Sequence, residues 1–163
     1  MTVAKFHKAI LAITAINFAM MVFYTTPALI REAGGLLPFD LRLTGYSAAE
    51  AAAYLAAITD KGRTLYLTTQ SMLDTFFPAL LALSLMVTLY RFAPKWPALF
   101  LTPLAGALFD YYENASIHTI LRSPTVDSGL VEMSSLLTSL KFASIALSLL
   151  AILLLWQRER ANG

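Results

Sequence analysis

Four ionisable residues stand inside long apolar runs of this 163-residue chain: Asp74, Asp110, Glu113 and Lys141. At the centre of a membrane-spanning helix each costs roughly 2.5–3.5 kcal/mol on insertion scales, so it has to be paired, protonated or hydrated, and it marks a candidate site. Asp110 and Glu113 are three apart, neighbours on one helical face, and repel when both are ionised. Lys141 compensates one carboxylate, which leaves two to be balanced by protons or by a bound cation. A carboxyl that exchanges a proton near neutral pH is what an acid catalyst or a proton carrier requires. The set therefore points to Asp110 or Glu113 as acid, Asp74 as its counterpart and Lys141 as charge balance. A divalent cation on Asp74, Asp110 and Glu113 is an alternative balance, because oxygen ligands suit hard cations.

Polar residues recur around these four at steps of three and four, so each run carries one polar stripe. The second apolar run has Arg63, Tyr66, Gln70, Asp74 and Phe77-Pro78; the third has Pro103, Gly106, Asp110, Glu113, Asn114, Ile117 and His118. The fourth has Ser134, Thr138, Lys141, Ile145 and Ser148, and the first has Thr14, Asn17, Met21, Tyr24 and Ala28. Four stripes predict one shared interior, with Asn114, Tyr66, Gln70, Arg63, Thr138, His118 and Asn17 as binding residues beside the charged four. Counted inward at ~1.5 Å per residue, the charged four lie ~12–17 Å below one surface, near the midplane of a ~30 Å core.

The elements that must position them are membrane helices. Hydrophobic residues make up 58% of the chain and charged residues 13%, half the charged share of about 25% in a soluble domain. Spans are predicted over 9–30, 64–90, 97–121 and 133–156, which makes residues 1–163 one all-α membrane domain, a four-transmembrane-helix bundle. The first apolar run follows Lys5, His7 and Lys8 but exceeds the roughly 7–15 residues of a signal-peptide core, so a retained helix is expected. Lys5, Lys8, Arg91, Lys95, Arg158 and Arg160 all fall on one side, which the positive-inside rule makes cytoplasmic. Both termini are expected there.

The connection over 31–63 contains Ser47-Ala-Ala-Glu50, a capping box, and so predicts a short helix over about 48–59 with Gly62 as its stop. Tyr54, Leu55 and Ile58 give it an apolar face to rest on the bundle or on lipid headgroups. Gly34-Gly35 and Pro38 break the chain before it. Ser144 and Ser148 form a small-xxx-small pair suited to a helix contact or a dimer face. Phe76, Phe77, Phe109, Tyr111 and Tyr112 are candidate aromatic walls.

Composition excludes several functions. There is no cysteine, hence no thiolate nucleophile or iron–sulfur ligand. The two histidines, His7 and His118, are predicted at opposite ends and cannot share a haem. The formal charge of +2 comes from residues at segment ends and forms no stripe of the kind nucleic acid requires. No cofactor is expected.

The motifs Asp40-x-Arg42-x-x-Gly45-Tyr46-Ser47, Gly62-Arg63-x-x-Tyr66-Leu67, Asp74-x-x-Phe77-Pro78 and Asp110-x-x-Glu113-Asn114 resemble a pattern in small, uncharacterised four-span bacterial membrane proteins. That resemblance implies a bacterial inner membrane and no activity. The architecture is also similar to the sterol-isomerase and sigma-2-receptor family, whose bundles use buried acids to handle lipid-like substrates or amines; no residue role transfers from it. The first functional expectation is thus a mid-membrane site for a lipid-like or amphipathic small molecule, with isomerase-like acid–base chemistry as its enzymatic form. A proton- or cation-coupled transporter or channel subunit, which would call for a homodimer, is the second. The third is a non-catalytic assembly partner.

Overall fold

The computed structural model describes residues 2–162 as five helices with two 3₁₀ turns. Helix α1 is Val3–Glu32, α2 is Ala48–Ala57, α3 is Asp60–Phe92, α4 is Leu101–Arg122 and α5 is Ser128–Asn162. The 3₁₀ turns are Phe39–Leu41 and Pro97–Phe100. Three helices, α1, α3 and α5, are long and apolar enough to cross a membrane. α4, at 22 residues, is shorter than these three, and Asp110, Glu113, Asn114 and His118 make it more polar. Only 17% of the apolar window of α1 and 22% of that of α5 is buried within the chain; helices with that much apolar surface outward need an apolar solvent.

α3 sits centrally, packed on α1, α4 and α5, and the α4–α5 contact is the most extensive. Small residues allow that last contact: Gly106 faces Ser144, and Ser148 donates a hydrogen bond to Thr102 Oγ1 (2.9 Å). The Ser144/Ser148 pair thus serves a helix contact within the chain. At one end, His7 Nε2 lies 2.8 Å from Thr88 Oγ1 and Arg91 donates to His7 Nδ1 (2.9 Å), tying α1 to α3. At the other end, Thr59 N donates to Glu32 O (2.9 Å), Thr59 Oγ1 to Glu32 Oε2 (2.5 Å), and Lys61 pairs with Glu32.

Gly62 is part of that second junction and not a helix stop, as its position after the Ala-rich run suggests. The short helix ends earlier, at Ala57, with Ile58 extended; Thr59 then caps α3 by accepting from Gly62 N (3.1 Å). A Cβ on Gly62 would fall 2.6 Å from Glu32 Cβ, so glycine is needed there for the close approach of α1.

The capping box forms as expected. Ser47 Oγ accepts from Glu50 N (3.2 Å) while Glu50 Oε2 accepts from Ser47 N (2.8 Å). The Ser47 N–H first, and then the Ser47 hydroxyl that also donates to Glu50 Oε2 (2.7 Å), hold the Glu50 carboxyl below its ordinary range. The helix rests on the bundle: Tyr54 is fully buried, 4.7 Å from the Phe39 ring and 6.3 Å from the Tyr66 ring. The Arg42 guanidinium lies over Phe39, Tyr46 and Tyr54 at 5.7–5.8 Å, within cation–π range. The principal apolar core is therefore here, at the loop end of the bundle, where Leu29, Phe39, Tyr54, Ile117, Leu121 and Val131 meet. Burial pushes the Tyr46 phenol up to about 12 and Tyr54 upward too, so both stay neutral.

Two helices depart from the regular period. α1 contains a π turn at Met21–Thr25 and α3 one at Tyr66–Gln70; Thr26 N reaches back to Met21 O and Ser71 N to Tyr66 O. Pro27, which has no N–H to give to the carbonyl four residues back, lies just beyond the first. A π turn inserts one extra residue and rotates the helix beyond it. The inward stripe of α1 consequently runs through Thr14, Met21, Thr25 and Leu29, whereas unbroken spacing assigns it Tyr24 and Ala28; Tyr24 is 62% exposed.

Candidate functional site

Lys141, on α5, is the hub of the buried polar network. Its Nζ lies 2.5 Å from Glu113 Oε2 and 3.5 Å from Asp110 Oδ1, both carboxylates belonging to α4. Glu113 is wholly buried and its other oxygen accepts from Thr138 Oγ1 (2.5 Å). Asp110 Oδ1 also accepts from Asn114 Nδ2 (3.3 Å), which lies 3.5 Å from the Asp74 carbonyl on α3. Lysine thus pairs with the two acids of α4, its one charge shared between them, and not with Asp74, the partner that facing stripes also allow.

A fourth carboxylate joins the network from the loop. Gly34 and Gly35, at φ of 63° and 93°, turn the chain in the left-handed region that favours glycine. The 3₁₀ turn after them buries Phe39 and Asp40 among the helices. Asp40 Oδ1 accepts from Tyr66 OH (2.5 Å) and Oδ2 from Gln70 Nε2 (3.2 Å), while Lys141 Nζ approaches Asp40 O at 3.5 Å. Asp40 looks like an ordinary loop charge in sequence. Its one local signal is its setting, an acid between Leu36-Leu37-Pro38-Phe39 and Leu41.

The π turns orient this network. The two are in contact, and Thr25 Oγ1 donates to Gln70 Oε1. With its oxygen engaged, Gln70 presents Nε2 to both Asp40 Oδ2 and Asp74 Oδ2 (2.9 Å). Tyr66 and Gln70 therefore share Asp40 as acceptor, and Thr138 supports Glu113, all within one continuous cluster.

Arg63, Asn17 and His118 lie apart from its centre. Arg63 donates to the carbonyls of Leu121 and Leu55, which ties α3 to the end of α4 and to α2. Asn17 donates to Leu73 O (3.4 Å) and leaves its own Oδ1 without a partner among the described residues. His118 is half-buried at the edge of a cleft of about 240 Å³ between α3 and α4, shared with Ser71, Asp74, Thr75, Tyr111 and Asn114. Phe76, Tyr111 and Tyr112 are exposed and Phe77 stacks on Phe18 at 5.7 Å; of these four rings, Tyr111 alone lines the cleft with Asp74. Among the described residues no group of three His, Asp or Glu side chains could hold a metal ion, and the Lys141 ammonium already stands between Asp110 and Glu113.

Asp74 is the outlier of the four acids. Its side chain accepts one hydrogen bond, from Gln70, makes no ion pair among the described residues, and lines the cleft.

The fold and site define a class: an all-α chain with three candidate membrane helices and buried carboxylates paired with lysine. Comparison with protein-family models, curated proteins and solved structures gives no match.

Proposed function

We propose that the chain is a four-span membrane bundle that takes an amphipathic molecule with a cationic head, in its simplest form a long-chain amine, sideways from the bilayer onto Asp74. The carrying observation is that Asp74 reaches the α3–α4 cleft with one donor and, among the described residues, no cation, whereas Lys141 serves Asp110 and Glu113 and two donors, Tyr66 and Gln70, reach the Asp40 carboxylate. A buried carboxylate has to be paired or hydrogen-bonded. An ammonium head completes it, and Asn114, Thr75 and His118 supply further polar contact around the same cleft.

The cleft volume of about 240 Å³ is below the 300–1,000 Å³ typical of sites that enclose a whole drug-sized ligand. It accommodates a headgroup while the tail stays in lipid. Binding rather than turnover is what this geometry supports, since Asp110 and Glu113 are both engaged by Lys141.

Crossing by α4 as well as α1, α3 and α5 is supported by its length of ~33 Å at 1.5 Å per residue and by its packing between two apolar helices. The His7–Arg91 contact and the shared surface of Lys95 with Arg158 gather the basic ends on one side, which supports cytoplasmic termini by the positive-inside rule. A photoactivatable long-chain amine tests the reading: it should crosslink to peptides carrying Thr75 and Asn114, and the matching alcohol should not. Equal labelling by both would refute it.

A second reading, proton coupling, rests on a separate observation. Asp110 also borders a void of about 10 Å³ among Pro78, Pro103, Gly106 and Ile145, room for about one water. Proteoliposome flux insensitive to a pH gradient would remove it.

A further inference from the structure

A second cavity is remote from the buried carboxylates. It is a groove of about 770 Å³ between the Phe92–Leu99 connection and the end of α5. Phe92, Leu99, Leu154 and Leu155 give it an apolar lining, and Lys95 and Arg158 give it two cations. Neither cation forms an ion pair among the described residues. Glu159 also lines the groove, so its charge sums to one positive. The Trp96 indole stands at the rim, 64% exposed, the amphipathic group that seeks the lipid headgroup level.

We infer that this groove is a binding site for an anionic phospholipid of the adjoining leaflet. The charge surplus matches one phosphodiester. Arginine and lysine both bind phosphate, the former bidentately, and basic pockets beside membrane helices take anionic headgroups. The apolar lining requires at least one acyl chain, so the headgroup alone is an incomplete ligand. A zwitterionic lipid would bring a third cation against Lys95 and Arg158.

Native mass spectrometry of the full detergent-solubilised chain tests this, with phosphatidylglycerol and phosphatidylcholine of identical chains. The wild type should retain phosphatidylglycerol about tenfold better. The Lys95→Gln/Arg158→Gln double variant should bring the two lipids within twofold, while Lys5→Gln/Lys8→Gln leaves the preference intact. Equal retention of both lipids by the wild type, or an unchanged preference in the groove variant, overturns the site. So does an equal loss in the Lys5/Lys8 variant, which would mean diffuse charge. Glycerol phosphate should not displace bound lipid; displacement would mean that the headgroup suffices. Independently of whether the double variant folds, brominated phosphatidylglycerol should quench Trp96 fluorescence in a Trp156→Phe background more strongly than brominated phosphatidylcholine. Equal quenching contradicts the site.

Discussion

Asp40 of the loop and Asp74 of α3 share one donor, the Gln70 amide nitrogen, at 3.2 and 2.9 Å. The loop is thereby joined to the membrane helices through the same side chain that leaves Asp74 facing the cleft. Asp40 also takes the Tyr66 hydroxyl, so its carboxylate is the better satisfied of the two.

Replacing Asp40 with alanine should release the loop. Tyr66 would lose its acceptor while buried, a change worth about 1–3 kcal/mol, and Gln70 would keep only Asp74 of its two acceptors. Hydrogen exchange over residues 36–46 should accelerate in Asp40→Ala, and Tyr66→Phe should show a smaller effect in the same segment. Unchanged exchange in both variants would mean that the apolar contacts of Phe39 and Tyr46 alone hold the loop.

Lys141→Met strands two carboxylates in the interior. Breaking a buried pair by removing one partner destabilises by roughly 3–5 kcal/mol, and thermal unfolding in detergent should show it as a large drop in Tm. Adding Glu113→Gln removes one stranded charge and should recover part of the loss. A triple variant that also carries Asp110→Asn should recover more.

Gly62→Ala forces a Cβ to within 2.6 Å of Glu32 Cβ and 2.9 Å of Ile58 Cγ1. Overpacking of this kind costs about 1–3 kcal/mol, measurable as a lowered unfolding midpoint. Alanine at Gly34 meets open space and is penalised by its φ of 63° instead, roughly 1–2 kcal/mol.

The capping box should respond to acid. Because the folded Glu50 carboxyl is held low by Ser47, its contribution is fully present above the ordinary glutamate value of about 4.3. It fades as pH falls through the lower folded value. The Ser47 amide proton shift, followed by NMR, should titrate with a midpoint below about 4.3, and Glu50→Gln should abolish the transition. A midpoint at or above that value would contradict the bond.

The charged residues of the long helices were legible because an ion in an apolar run has few physical resolutions. Glu113, Lys141 and Thr138 meet as their spacing on two facing helices implies. Asp40 was not legible: its partners are 26, 30 and 101 residues away in sequence, and a loop charge ordinarily faces water. The inward role of Thr25 was hidden by a π turn, which no 3.6-residue periodicity anticipates; Pro27 was its one local trace. The capping box, a contact between residues three apart, formed as written, while Gly62 was misread because a glycine that ends a helix and one that admits a neighbour look alike in sequence.

The claim that Asp74 is an open anchor for a cationic head is tested most directly by its affinity for dodecylamine in nanodiscs, compared between the wild type and Asp74→Asn. The wild type should bind saturably and dodecanol should not compete, while Asp74→Asn, which keeps the size and the Gln70 contact region, should bind at least about tenfold more weakly, a loss of about 1.4 kcal/mol. Equal affinity in the two proteins would contradict the account.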